Sequence, residues 1–433
     1  MNKRRTYTLE ADGARCLSKM LHWAANRLQV CWLDGKGFHA DESDRLGLLA
    51  VGAIAELHTD RESLKAFDEL FGSTRDWLFG FLSYDLKNEL EALASSKPDS
   101  FQVPHLHFVC PEFVFDLRKD KVMIHYANSM NEQELSNLWD EILAVETETN
   151  PKARLSQAIT CNFSKHEYTD CVEQILNHIQ LGDIYEMNFC VKFEARVFEI
   201  QPVDLFMQYQ SIVSNPFSCF YRYRNTFLLG NSPERFFVKK ARTISSQPMK
   251  GTIRRGKDEA EDLMLKEQLR NDIKERAENV MIVDLVRNDL SKIAKRKSVK
   301  VDELFGIYTF PNVHQMISTV TAELRDEIRF TDIVRALFPM GSMTGAPKIR
   351  AMQIIDEMEH NNRGLFSGAV GYIDPNENMD FNVVIRSMQY QSDTGLLSYQ
   401  AGSAITSNSN PANEYEECML KAGALFRLFD QKL

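Results

Sequence analysis

The chain has 433 residues, enough for two or three ordinary domains or one large one. It is 44% hydrophobic and 26% charged, a balance that supports a sizeable core, and Lys plus Arg total 51 against 61 Asp plus Glu, a formal net charge of -10. That acidic surplus argues against a nucleic-acid coat, which needs a basic footprint. It leaves room for an anionic small molecule held by local charge. The 8 cysteines are scattered, with no C-x-x-C pair and no zinc-type His/Cys spacing, so reduced thiols are expected. No apolar stretch follows Met1 to Thr6, and the longest apolar run, Leu46 to Leu57, is short of a membrane span. A cytoplasmic protein with no membrane or nucleic-acid partner is the expectation.

The first 145 or so residues read as mixed strands and helices, with an amphipathic segment at Leu135 to Val145. A polar junction closed by Pro151 suggests a boundary at residue 150, dividing an N-terminal region, 1–150, from a catalytic region, 151–433. Ser164 and Glu167 form a capping-box pattern that opens a helix towards Leu181, and Gly182-Asp183 stops it. Ile184 to Phe193 alternates like a strand, followed by strand-like Cys219 to Tyr223, Thr226 to Leu229 and Phe236 to Lys239. One long helix is expected from Glu259 to about Val286, with two more over Ala346 to Glu359 and Ala412 to Phe429. Between those two lie strand-like Phe366 to Ile373, Phe381 to Tyr390 and Leu396 to Ala401. With no regular strand-helix alternation, antiparallel or mixed sheets with outer helices fit better than a doubly wound fold.

Several constellations could carry chemistry. Glu275 and Glu278 sit three apart in one expected helix, and Glu414 and Glu417 sit three apart in another. That spacing puts each pair on one helix face. Two such faces opposed would make an oxygen cage for a hard cation such as Mg2+. Taken singly, such pairs are usually a solvated face. Lys250 lies in Ser246-Gln247-Pro248-Met249-Lys250-Gly251-Thr252, where Gly251 and Thr252 let the backbone approach something closely. A lysine held in a partly desolvated pocket loses proton affinity and becomes a nucleophile. An ordinary turn lysine is the bland alternative. In Ser232-Pro233-Glu234-Arg235, Glu234 could serve as a general acid if burial raised its pKa. The run Pro339-Met340-Gly341-Ser342-Met343-Thr344-Gly345-Ala346-Pro347-Lys348 could cradle an anion on backbone N–H groups, although its spacing is not that of a Walker loop. Arg386 offers a bidentate fork at a strand end, and Tyr372 sits in a Gly-rich strand; each is more often structural.

Together these stretches resemble the chorismate-utilising enzyme family, motif after motif from about Phe163 to Phe429. Gly80-Phe81-Leu82-Ser83-Tyr84-Asp85-Leu86 is similar to the region that precedes them. The resemblance implies an α+β fold of two large, mainly antiparallel sheets packed as a sandwich with helices outside. It implies Mg2+ held by Glu275, Glu278, Glu414 and Glu417, Glu234 as acid for the departing C4 hydroxyl, and substrate contacts at Arg386, Tyr372 and Thr344. Gly345, Gly251, Thr252 and Gly402 are expected to line the same substrate site.

Lys250 separates the branches. The anthranilate branch resembles Pro-Ile-Ala-Gly-Thr, with alanine at that position, whereas the aminodeoxychorismate branch carries a lysine that attacks C2 of chorismate. The resemblance therefore points to amination of chorismate by ammonia, for p-aminobenzoate and folate synthesis, with an anthranilate-forming or non-catalytic homologue as the alternatives. The isochorismate branch uses a lysine as base for water at the position matching Glu186, so the glutamate weighs against that branch. Gln315 stands where the anthranilate branch has a histidine thought to assist pyruvate elimination, and Ala404 replaces a glycine of the Ala-Gly-x-Gly loop, here Ala401-Gly402-Ser403-Ala404. No tryptophan-binding signature is found near the N-terminus. No cysteine lies in a Gly-x-Cys-x-Gly nucleophile turn, so a separate glutamine amidotransferase subunit is expected to supply the ammonia.

Overall fold

A computed structural model describes residues 4–38, 44–95, 97–127, 129–147, 152–310 and 313–432. The expected boundary at residue 150 lies outside them. The local signals of the sequence are met closely at the helix ends. Ser164 and Glu167 close a reciprocal capping box at the start of Lys165–Leu181, and Gly182, at φ 82°, ends that helix in the left-handed conformation that glycine adopts at least cost. A second capping box, Asn131 with Glu134, starts Glu132–Leu143.

The expected helix from Glu259 to Val286 is two helices, Glu259–Asn271 and Ile273–Ser291. Asp272 breaks them: its backbone is extended and its carboxylate accepts the N–H of Glu275, so it N-caps the second helix. The expected strand Phe381 to Tyr390 is likewise split into Met379–Val383 and Met388–Gln391, with Arg386 between them at φ 50°.

The described strands form two antiparallel sheets. One has twelve strands and runs in the order Arg5–Glu10, Lys121–Tyr126, Phe113–Arg118, Arg45–Val51, Val30–Asp34, Phe217–Tyr223, Thr226–Ser232, Met388–Gln391, Leu396–Thr406, Glu186–Phe198 and Gly345–Ala346. Arg154–Cys161 also pairs with Glu186–Phe198. The other has ten, in the order Met249–Arg254, Val313–Glu323, Thr243–Gln247, Arg235–Lys240, Met379–Val383, Ala369–Ile373, Leu78–Leu82, Leu106–Cys110 and Ala55–Thr59, with Lys300–Thr309 also on Val313–Glu323. Segments from before and after residue 150 pair directly in both: Val30–Asp34 with Phe217–Tyr223, and Leu78–Leu82 with Ala369–Ile373.

Alternation along each strand sends side chains to both faces. Cys31, Leu33, Leu48 and Tyr221 of the first sheet meet Phe79, Phe81 and Val370 of the second in the layer between them. The outer face of the first sheet, with Trp32, Leu49 and Phe220, is covered by helices that include Gly13–Ala25, Lys165–Leu181 and Pro411–Leu428. The outer face of the second packs Phe237 and Phe381 with Phe67, Val283 and Phe330 of its helices. The architecture is therefore α+β, two sheets in a sandwich with helices outside, as expected. All eight cysteines are unpaired, and no helix among the described residues is long and apolar enough to cross a membrane.

Candidate active site

Two short segments carry the chain from one sheet to the other, and each delivers a site residue. Pro233-Glu234 joins Thr226–Ser232 of the first sheet to Arg235–Lys240 of the second. Arg386 lies on the return, between Met379–Val383 and Met388–Gln391. Its guanidinium forms no hydrogen bond or ion pair with a described residue, while its backbone carbonyl accepts the hydroxyl of Tyr209 at 2.9 Å. A fork left open in this way suits a carboxylate.

Lys250 is aimed by a bulge. Met249 pairs with Ile317 and Thr252 with Gln315, so Lys250 and Gly251 together oppose Met316. Gly251 takes φ 82°, and a Cβ on it would sit 3.1 Å from both Glu275 Oε2 and Leu269 Cδ1. The Lys250 ammonium donates to Glu186 Oε1 at 2.6 Å and lies 3.9 Å from Glu278 Oε2. Glu186, 1% exposed, is the first residue of Glu186–Phe198, on the opposite sheet. Burial pulls the lysine's pKa down, but the carboxylates of Glu186, Glu278 and Glu234 together outweigh it and hold the pKa above the ordinary lysine value. The expected loss of proton affinity is therefore corrected. Desolvation is present, but three carboxylates surround the amine.

Glu234 lies at the crossing between the two sheets. It is buried, and burial pushes its carboxyl up to about 7, although a 2.7 Å hydrogen bond from Ser342 and the nearby Lys250 both favour the ionised form. Ser342 belongs to the expected anion cradle, and that expectation changes. The N–H groups of Met343 and Thr344 are bonded to the carbonyls of Met340 and Gly341. The Thr344 hydroxyl is spent on the same two carbonyls, at 3.2 and 3.3 Å. Those donors are turned inward, while the Ser342 hydroxyl is turned to Glu234.

The four glutamates do not close on one point: among the described residues no group of three or more acidic, His or Cys side chains is placed to hold a metal ion. Lys274 lies between the two helices, 3.8 Å from Glu278 Oε1 and 3.7 Å from Glu414 Oε1. Glu417 turns to Lys421 at 2.6 Å, and that ion pair lowers its pKa against the upward push of burial. Glu275 stays beside Gly251, and burial raises its pKa. Even so, the donor set suits a hard cation. Glu278 Oε1 and Glu414 Oε2 are buried without a hydrogen-bond partner, and burial pushes the Glu278 carboxyl up to about 7. Buried carboxylate oxygens left in that state are what a divalent ion would satisfy.

The remaining candidates serve differently. Tyr372 packs on Trp77 and Phe79, with ring centroids 5.7 and 5.9 Å away, in the layer between the sheets. Thr252 is exposed on its strand. Gly345 pairs with Met187, and a Cβ on it would strike the Glu186 carbonyl. Gly402 pairs with Cys190, lies against Asn188, and gives its carbonyl to Lys421 at 2.7 Å. Gln315 is buried with Oε1 unpartnered. The adjacent His314 is bound on both nitrogens, to Asp262 and Thr309. Ala404 is buried opposite Asn188.

Two residues escaped sequence reasoning. Glu186 was read only as the absence of a lysine, and its partnership with Lys250 spans 64 positions that no local pattern reveals. Arg363, 2% exposed, braces the site from below, with its fork on Glu359 and on the carbonyls of Met343 and Asn188. A single charged residue in a loop carries no sign of such burial.

Residues 29–427 match the chorismate binding enzymes. The chain belongs to that family. Among chorismate binding enzymes, aminodeoxychorismate synthase component 1 of Bacillus subtilis is 30% identical over 361 residues, covering 81% of this chain and 76% of the relative. Its Escherichia coli counterpart is 32% identical over 354 residues, covering 81% and 76%. Anthranilate synthase alpha subunit 1 of rice (Oryza sativa subsp. indica) is 33% identical over 394 residues, covering 81% and 68%. The crystal structure of anthranilate synthase component I from Streptococcus pneumoniae matches at a TM-score of 0.77 and 27% identity, covering 87% of this chain and 90% of that one. The menaquinone-specific isochorismate synthase of Escherichia coli shares the fold at a TM-score of 0.76 and 16% identity, covering 99% and 96%.

Proposed function

We propose that this chain is the chorismate-aminating component of an aminodeoxychorismate synthase: it converts chorismate and ammonia to 4-amino-4-deoxychorismate through a covalent adduct on Lys250. The observation that carries this reading is the placement of Lys250, its side chain 10% exposed, with Glu234, a buried carboxyl whose pKa of about 7 keeps a large share of it protonated near neutrality. Relatives named for aminodeoxychorismate and for anthranilate synthesis are about equally similar, so overall identity does not choose between them. The lysine at position 250 supports the aminodeoxychorismate reading, because an alanine there could not form an adduct.

In this reading Lys250 attacks C2 of chorismate while Glu234 protonates the departing C4 hydroxyl, which splits one hard displacement into two easier ones. The ammonium must lose a proton before it can attack, and Glu186 Oε1, 2.6 Å away, is its closest carboxylate acceptor. Ammonia then attacks C4, the C2–N bond to Lys250 breaks, and the free amine is regenerated. Arg386 would hold a substrate carboxylate. Glu278 and Glu414, joined by Glu275 and Glu417, would hold Mg2+, which when bound anchors the ring carboxylate and supports loss of the hydroxyl. A separate glutamine amidotransferase would supply ammonia; two relatives are named as component 1 of their synthases, which supports a second component.

Incubation with chorismate, Mg2+ and ammonium, without a glutaminase, tests the reading. It should yield an amino product that becomes p-aminobenzoate only when a lyase is added, and a trapped adduct mass on Lys250. Fluorescent anthranilate formed without a lyase would overturn it.

A further inference from the structure

Glu186 has two carboxylate oxygens in different states. Oε1 accepts the Lys250 ammonium, whereas Oε2 is buried and has no hydrogen-bond partner. A carboxylate can only accept, so a buried unpaired oxygen is costly until a donor arrives. Three donors of this chain near the site are committed elsewhere, Ser342 to Glu234, Arg363 to Glu359 and two carbonyls, and Lys421 to Glu417 and the Gly402 carbonyl, and Lys274 lies against Glu278 and Glu414. The backbone that carries Glu186 cannot yield, because it is paired on one side with Thr406 and on the other with Ala346, with Gly345 pressed against its carbonyl.

We propose that Glu186 Oε2 is the acceptor for the small nitrogen nucleophile, ammonia or its ammonium ion, beside Lys250. The proposal rests on the reading that this site aminates chorismate. The local chemistry favours such an occupant. Glu186 meets the Lys250 ammonium with one oxygen and leaves the other, buried beside that amine, to accept an N–H from a small molecule that enters there. An ammonium ion brings N–H donors as well as charge, and it is small enough for an enclosed position. The other two unpaired carboxylate oxygens, Glu278 Oε1 and Glu414 Oε2, lie on side chains that flank Lys274, and Glu278 reaches Lys250 only through its other oxygen, at 3.9 Å.

Steady-state rates with ammonium chloride as the varied substrate, at saturating chorismate and Mg2+, test this on wild type, Glu186→Ala and the isosteric Glu186→Gln. The KM for ammonium should rise about tenfold or more in the alanine variant, the scale of one hydrogen bond to a charged group, and less in the glutamine variant. The KM for chorismate and the Mg2+ activation constant should move less than about threefold. If the alanine variant fails to fold, judged by its melting curve, the glutamine variant carries the measurement with an expected rise of about threefold. An unchanged ammonium KM with a fallen kcat would reduce Glu186 to a positioning residue for Lys250 and overturn the proposal. A shift in the Mg2+ constant in place of the ammonium KM would give the oxygen to the metal and overturn it equally. Wild-type enzyme that forms no amino product at all would sink the amination reading itself, and this proposal with it.

Discussion

Two enclosed cations near this site, Arg363 and Lys250 with side chains 1% and 10% exposed, are in opposite states of satisfaction. Arg363 has its fork filled: both oxygens of Glu359, the carbonyls of Met343 and Asn188 and the Ser367 hydroxyl lie within 3.2 Å, and the guanidinium covers the Tyr84 ring at 4.7 Å. Both Glu359 oxygens are likewise partnered, and Oε1 also takes the Cys190 N–H. Lys250 has one hydrogen bond, and the carboxylates around it leave Glu186 Oε2 and Glu278 Oε1 unpaired. A satisfied buried network holds structure in place, whereas an unsatisfied one keeps valence for something that enters. The contrast separates a structural brace from the candidate reaction centre without reference to any relative.

The sharpest way to break that contrast is to remove each cation. Lys250→Ala should abolish the covalent adduct and lower turnover by roughly 10³-fold or more, the scale on which removal of a covalent nucleophile acts. Intact-protein mass spectrometry and steady-state rates check it, and retention of turnover would end the nucleophile role. Glu234→Gln should cost roughly 10²- to 10⁴-fold, as loss of a general acid does. In wild type, kcat/KM should fall as pH rises through about 7, where the Glu234 carboxyl ionises, and the glutamine variant should lack that limb. The stability sign follows from linkage. The folded pKa of Glu234 is raised above the ordinary value of 4.5. Its contribution is therefore full below that value and is lost as pH rises through about 7. Glu234→Gln should thus melt higher than wild type at pH 8 and gain little at pH 4, and the reverse order would refute the burial argument. Arg363→Met acts on stability instead, lowering it by about 3–5 kcal/mol because Glu359 is left buried and unpaired. Denaturant titration measures this, and adding Glu359→Gln should restore part of it.

Legibility in the sequence followed the range of the interaction. The capping box of Ser164 with Glu167 and the glycine stop at Gly182 depend on neighbours within a few positions, and the structure places both as read. The sandwich itself came from resemblance, since strand order needs pairings such as Val30–Asp34 with Phe217–Tyr223 that no period encodes. The break at Asp272 hid inside a helical pattern, because an aspartate reads as tolerable in a helix until its carboxylate is seen capping the Glu275 N–H. At the site, the residue types of Lys250 and Glu234 were legible, but their charge states were not. Burial alone predicts a weakened lysine; Glu186, contributed by the other sheet, reverses the sign together with Glu278 and Glu234. The loop at 339–348 misled for a similar reason. Two glycines and two hydroxyls advertise free donors, and only the folded loop shows the Met343 and Thr344 N–H groups and the Thr344 hydroxyl bonded to its own carbonyls.

A smaller perturbation asks how tightly the reactive half of the comparison is aimed. Gly251 holds φ 82° directly after Lys250, and its hydrogen faces Glu275 Oε2 and Leu269. Gly251→Ala places a methyl group 3.1 Å from each and asks an L-residue to keep a left-handed backbone, which costs about 1–2 kcal/mol. The aliphatic Leu269 is part of the helix Glu259–Asn271, while the Glu275 carboxylate is on a side chain that can swing, so the strain should be relieved mainly by displacing Glu275. The variant should then unfold at slightly lower denaturant, show a weaker Mg2+ activation constant, and keep the ammonium KM of wild type, because Glu186 is on the other sheet and does not touch the methyl group. A variant whose ammonium KM rises while its Mg2+ response stays fixed would mean that the bulge aims Lys250 at Glu186 rather than making room for Glu275.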